Sequence, residues 1–224
     1  LNIGMDAYEY LGNPKLKSEV NYQADIRAEE QIGKAVIFGD VFYSYIQNYI
    51  SASVDTTIPR VYSPCVNPKY TKVFTNVDEV FLTGFETGAD YYFTKKLMYN
   101  LGVSYTYAQN LSWNEPLAEI TPFTLITALV WKSKNLNLKL NGRIVAEQKR
   151  VAASFAESTT QGFAVFDFYG SYAFFRNFEL NLSVKNITNV NYVEHLSRAY
   201  RAMDTQSLYY EPGISFNMGL RYAF

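Results

Sequence analysis

The chain holds one histidine and one cysteine in 224 residues, and both sit among other side chains able to bind metals or chelates. His195 lies in VEHLSRAYRAMD, with Met203 eight residues further on. A neutral imidazole is the commonest metal ligand, and a thioether beside it suits Cu(I). That spacing fixes no geometry, so the expectation for His195 is a solvated loop histidine, with metal ligation as the functional alternative. Cys65, in YSPCVNP, is a soft-metal ligand, a partner for a cysteine in the rest of a larger protein, or an incidental loop thiol, and one cysteine excludes a disulfide framework within these residues. A second set is aromatic and cationic: Tyr62, Tyr70, Trp113, Arg198, Tyr200, Arg201, Tyr209 and Tyr210. Such groups grip anionic chelates through cation–π contacts and charge-assisted hydrogen bonds, although interfacial tyrosines and solvated charges have the same composition. Asp167, His195 and Ser197 are the residue types of a hydrolase relay. The aspartate falls in mid-strand and no nucleophile elbow is present, so catalysis is not expected and no cofactor is called for.

The elements that must position these residues follow a period of two. In Gly213–Phe224 the apolar Ile214, Phe216, Met218, Leu220, Tyr222 and Phe224 alternate with Ser215, Asn217, Gly219, Arg221 and Ala223. Successive side chains of a strand point to opposite faces, so this is a strand with one apolar and one polar or small face. The same pattern predicts strands from Glu19, over about Ala35–Ile50, Tyr70–Phe93 with a bulge near Asp78 and Glu79, and from Leu97 to Ala108. Further strands are expected over Pro122–Lys132, Leu136–Arg150, Phe163–Phe174 and Phe178–Val193. Residues 1–18 read as a loop, and Ser51–Lys69 as irregular because its three prolines oppose a central strand.

Two regularities set the fold class. Short polar turns (QIGK, TKK, SKN, FRN) alternate with long loops, the asymmetry of outer-membrane barrels. The polar face also carries charges in mid-strand: Asp25, Arg27, Glu86, Asp90, Lys139, Arg143, Asp167 and Lys185. A wide wet lumen can hold these and a packed core cannot, although in a soluble sandwich they could face water, so the loop asymmetry and the tyrosine excess decide. The chain contains 20 Tyr and 16 Phe, which suits strands at a membrane interface. A formal charge of −1 gives no bias toward nucleic acid. The prediction is an all-β, antiparallel up-and-down transmembrane barrel contributing about nine strands. An odd count that begins outside, and a start at Leu1, predict the carboxy-terminal part of a larger barrel.

GNPKLKSE (12–19), FTNVDEVFLTGFETGADY (74–91), YTYAQNLSWNEPLAEITPF (105–123), VKNITNVNYVEHL (184–196) and EPGISFNMGLRYAF (211–224) together resemble the carboxy-terminal half of TonB-dependent outer-membrane receptors. The resemblance implies a barrel of about 22 strands with an amino-terminal plug. Residues 1–18 would form an external loop and 19–224 the barrel wall. It further implies active uptake of a ferric siderophore, haem or copper across the bacterial outer membrane. The implied partners are outer-membrane lipid, the TonB complex acting through the plug, the barrel-assembly machinery at the terminal strand, and the metal chelate. A passive porin-like channel or structural barrel is the alternative.

Overall fold

A computed structural model describes residues 2–3, 8–61, 70–175, 177–197, 200–202 and 205–224. Nine long strands form one antiparallel sheet in chain order. They are β1 (Val20–Ile32), β2 (Ala35–Pro59), β3 (Tyr70–Tyr92), β4 (Leu97–Asn110), β5 (Thr124–Lys132), β6 (Leu136–Val145), β7 (Phe163–Phe174), β8 (Phe178–Lys185) and β9 (Ser215–Tyr222). Along the meander each pairs with its sequence neighbours, β3 and β4 also pair with the short strands Glu9–Leu11 and Glu115–Pro116, and among the described residues the outer edges of β1 and β9 have no ladder partner. No helix among the described residues is long and apolar enough to cross a membrane.

The register keeps the apolar sets aligned across the sheet. Ile26 pairs with Val41, Val41 with Phe85, and Phe85 with Tyr105. Leu129 pairs with Tyr99 and Leu140, Leu140 with Phe168, and Leu182 with Gly170 and Met218. A slip of one residue anywhere would turn a whole strand over. The side chains of this outer face stay largely exposed, from Ile26 at 71% to Met218 at 78%. Aromatic bands mark both ends of it: Tyr43, Phe81 and Tyr107 in one stack, and Phe174, Phe178 and Tyr222 in another. The opposite face carries Asp25, Asp40, Glu86, Lys139, Asp167 and Arg221. Side chains of β4 and β9 line one cavity of about 680 Å³ on that polar side, with Asn100, Lys139 and Asn217 among its walls. In a flat sheet those strands would lie about 24 Å apart. The sheet therefore curls around its polar face.

The phenylalanines of that inner face have a local cause. Phe38 and Phe42 stand opposite Gly88 and Gly84. A Cβ on Gly84 would come within 2.7 Å of the Phe42 ring, and one on Gly88 within 2.6 Å of the Phe38 ring. The rings cover the glycines, so two apolar side chains are tolerated on a polar wall.

The connections sort as expected. Gly33 and Lys34 join β1 to β2, with Gly33 at φ 60°, the conformation a two-residue hairpin asks of glycine. Ser133 closes the β5–β6 turn by exchanging bonds with Leu136. Residues 93–96 and 175–177 make the other two short turns, and these four alternate with four long connections. Several expectations need correction. β6 ends at Val145 and β8 at Lys185, short of the expected Arg150 and Val193. Ser51–Lys69 is not irregular throughout: β2 continues to Pro59, because its ladder with β3 holds to Asp55–Thr71 and shifts register only just before the first proline, at the strand's end. The irregularity expected at Asp78 lies across the ladder, at Asn48 with φ 54°. Pairing keeps its offset there, from Gln47–Glu79 to Tyr49–Val77. Val80, before it, and Tyr49 and Val77, beyond it, pack into one cluster, so the alternation changes face there. Residues 1–18 include a short strand, Glu9–Leu11, running parallel to β3 at Thr71–Val73.

Candidate functional site

The long connections do not splay apart. At their end of the sheet, residues 111–123, 146–162 and 186–197 fold onto one another and onto the extended parts of β2 and β3. Ala52 of β2 packs with Ala152 and Phe155, against Tyr10, Phe74 and Ala118. Leu117 joins Val77, Val80 and Ala108. Ser154 accepts a hydrogen bond from the Val54 amide at 3.0 Å, and Ser154 in turn donates from both its amide and its hydroxyl to Glu115.

Glu157 is the polar hub of this cap. Its carboxylate accepts from the backbone amides of Glu119 at 2.7 Å and Ala152 at 2.9 Å, and lies 3.2 Å from His195 Nε2. Burial pushes its pKa up, but the bonds from His195, Ala152 and Glu119 outweigh burial and hold it below the usual carboxylate range. His195 is not a solvated loop residue, since its side chain is 2% exposed. The other ring nitrogen, Nδ1, lies 3.0 Å from the Thr160 hydroxyl. Both ring nitrogens are thus engaged. The valine- and leucine-flanked VEHLS segment gave no sign of this burial, because Glu157 stands 38 positions away in sequence.

A second anchor sits on β3. Lys72 is 1% exposed, with its Nζ 3.6 Å from the Phe155 ring centre and 4.7 Å from that of Tyr8. Such cation–π contacts, together with a bond to the Tyr10 hydroxyl, offset the burial of its charge. Beside it, fully buried Glu9 lies 3.6 Å from Arg60 Nε and accepts from the Val61 amide at 2.8 Å.

A third cluster faces the polar concavity. Arg143, near the end of β6, presents its guanidinium fork to the two carboxylate oxygens of Glu194. The Phe163 and Tyr192 rings lie 4.9 and 5.9 Å from the guanidinium carbon. Burial, then the carboxylates of Glu194 and Glu211, raise the Tyr192 phenol despite the opposing arginine. Just behind, Asn186 (φ 50°) ends β8 and ties its loop to the last strand: its side chain bonds Val190 N and O and Pro212 O, while Asn189 accepts from Ile214 N at 2.9 Å.

A family profile described as "TonB dependent receptor-like, beta-barrel" matches residues 3–187. The chain belongs to that receptor-barrel family. No curated protein matches the sequence. Solved structures show the same fold. The copper transporter OprC superposes with a TM-score of 0.82 at 24% identity, over 94% of this chain and 32% of that one. The ferric enterobactin receptor PfeA from Pseudomonas aeruginosa gives 0.73 at 20% identity, over 99% and 34%. The FrpB iron transporter from Neisseria meningitidis gives 0.66 at 19% identity, over 96% and 33%. This chain thus spans about a third of the length of each.

Few of the residues singled out from sequence fall among those described with their side chains. Tyr70 and Trp113 are partly exposed, at 40% and 37%. Tyr62, Cys65, Arg198 and Met203 lie outside the described residues, and for Tyr200 and Arg201 only the backbone is described, in a short hairpin with 205–207. The hydrolase relay does not assemble. Asp167 accepts from the Asn186 amide and the Tyr169 hydroxyl, while His195 belongs to Glu157 and Thr160. Among the described residues, no three His, Cys, Asp or Glu side chains gather as a metal site.

Proposed function

We propose that this chain is wall and outer mouth of a receptor that takes up a scarce metal complex, a ferric siderophore, haem or copper, across the bacterial outer membrane. The observation that carries the reading is the one-sided capping of the curved sheet. An apolar exterior surrounds a polar concavity, and only the long-connection end is roofed by a packed cap. In a receptor of this family that roofed end faces outward, and cargo passes the polar wall once TonB acts on a plug. Tyr62, Tyr70, Trp113, Arg198, Tyr200 and Arg201 contribute to cargo capture at the mouth. His195, Met203 and Cys65 are the groups able to bind metal, His195 only by giving up Glu157 or Thr160. Lipid covers the outer face, and the barrel-assembly machinery engages β9.

The test is uptake by cells expressing the full-length protein, with and without a working TonB complex, offered ferric enterobactin, haem and a copper salt. TonB-dependent accumulation of one of them is expected. Accumulation that persists without TonB would instead identify a passive channel.

A further inference from the structure

We infer that Arg143, Tyr192 and Phe163 form an anion-binding subsite on the inner wall of the mouth, and that the Glu194 carboxylate occupies it as an internal stand-in for an anionic chelate. The inference deepens the uptake reading and rests on it. Arg143 is the cation on β6 nearest the cap, on the face of the sheet that lines the concavity. Its planar fork fits two carboxylate, catecholate or phosphate oxygens at once, the geometry a lysine cannot give. Phe163 and Tyr192 flank it with ring faces, the setting in which a guanidinium and an aromatic ligand share stacking surface. The site is accessible: the side chains of Arg143 and Glu194 are 28% and 32% exposed. Most polar anchors of the cap are sealed, as Glu157 at 10% and His195 at 2% exposure show.

The occupant is also built to leave. Glu194 is followed by His195, whose ring is pinned to Glu157 and Thr160, and Ser197 N bonds back to Glu194 O. The carboxylate can therefore swing off the arginine while its backbone stays held. A ligand with bidentate anionic oxygens competes for the same fork, so affinity reflects ligand against Glu194. Selectivity follows directly. An anionic chelate gains the arginine, while a neutral or cationic chelate gains nothing from it and leaves the internal pair closed.

The experiment uses the full-length receptor in detergent, with folding of each variant checked by heat-dependent gel mobility. Binding is read by quenching of intrinsic fluorescence with three probes: ferric enterobactin (anionic), a ferric trihydroxamate (not anionic) and Cu²⁺. Glu194→Gln removes the competitor and should tighten ferric enterobactin by about tenfold, the scale of one charge-assisted bond. Arg143→Gln should weaken it by at least about as much. The double variant, whose neutral pair leaves no buried charge unmatched, should behave as Arg143→Gln. The other two probes should not respond. Unchanged or weaker ferric enterobactin binding in folded Glu194→Gln overturns the subsite while the uptake reading stands, as does a wild type that binds only the trihydroxamate or Cu²⁺. A wild type that binds none of the probes overturns both.

Discussion

At the scale of single residues, Glu157 shows how a cap of loops is held without a core of its own. One carboxylate satisfies two backbone amides from two different connections and faces a buried imidazole from a third. Glu157→Ala should therefore leave buried donors unmatched, at about 1–3 kcal/mol for each. The loss should be local. Hydrogen exchange should quicken in 115–121 and 150–160 and stay slow in the β6–β7 ladder; unchanged exchange in the cap would refute the hub role. The pH dependence follows from the lowered pKa. A depressed carboxyl contributes its stability above the unfolded value, about 4.3 for glutamate, and loses it as pH falls through the lower folded value. Protection of the cap should thus drop on acidification below about pH 4, and Glu157→Ala should abolish that share of the drop. None of this was legible in the sequence. Residues 119, 157 and 195 belong to three separate aperiodic stretches, and nothing in a run such as VAASFAESTT says which side chain turns inward. Arg143 was placed on the polar face by alternation, but its partner Glu194 lay in a loop that has no period to read.

At the scale of elements, the strands were legible because the alternation is strict and a slip would expose the wrong face to each neighbour. Their ends were less so. β8 stops at Lys185 because Asn186 takes a left-handed conformation to bond the following loop, a choice made by contacts with Val190 and Pro212 rather than by a breaker residue. β2 runs past the expected end because residues 51–55 find partners in 71–75 of β3. The inner-wall glycines carry a prediction of their own. A Cβ at Gly84 would lie 2.4 Å from the Tyr105 carbonyl oxygen and 2.7 Å from the Phe42 ring. Gly84→Val should cost about 1–3 kcal/mol, the usual penalty of overpacking. Adding Phe42→Ala should recover only part, because the carbonyl remains. Urea unfolding of the full-length protein in lipid vesicles measures both; full rescue by Phe42→Ala would show that the backbone contact is not limiting.

For the whole molecule, the decisive property is that one face is apolar on every strand while the other is wet. This was readable at once, because it needs only residue order and the strand period. What encloses the wet face was not readable, since curvature and the packing of the cap come from contacts between distant segments. The orientation is tested by two adjacent substitutions on β6. Leu140 is 47% exposed on the apolar face, and Asn141 is its neighbour on the polar face. Leu140→Arg should cost about 2–4 kcal/mol if that strand position lies near the bilayer midplane, whereas Asn141→Arg should cost about 1 kcal/mol or less. Folding equilibria into lipid vesicles compare them, and equal costs would contradict a lipid-facing outer surface.

The β2–β3 ladder is paired from Ala35–Tyr91 through to Asp55–Thr71. Its 25-residue strand is about 80 Å long, against the 9–11 residues that suffice to cross a bilayer. Seen mechanically, this ribbon is a strut. A load along its axis is shared by many backbone bonds in shear, whereas the cap is tied to it by a handful of backbone and side-chain bonds. When such a molecule is pulled, compliance should concentrate at the mouth and the wall should carry tension almost unstretched, so force is spent on opening a passage rather than on deforming the tube around it.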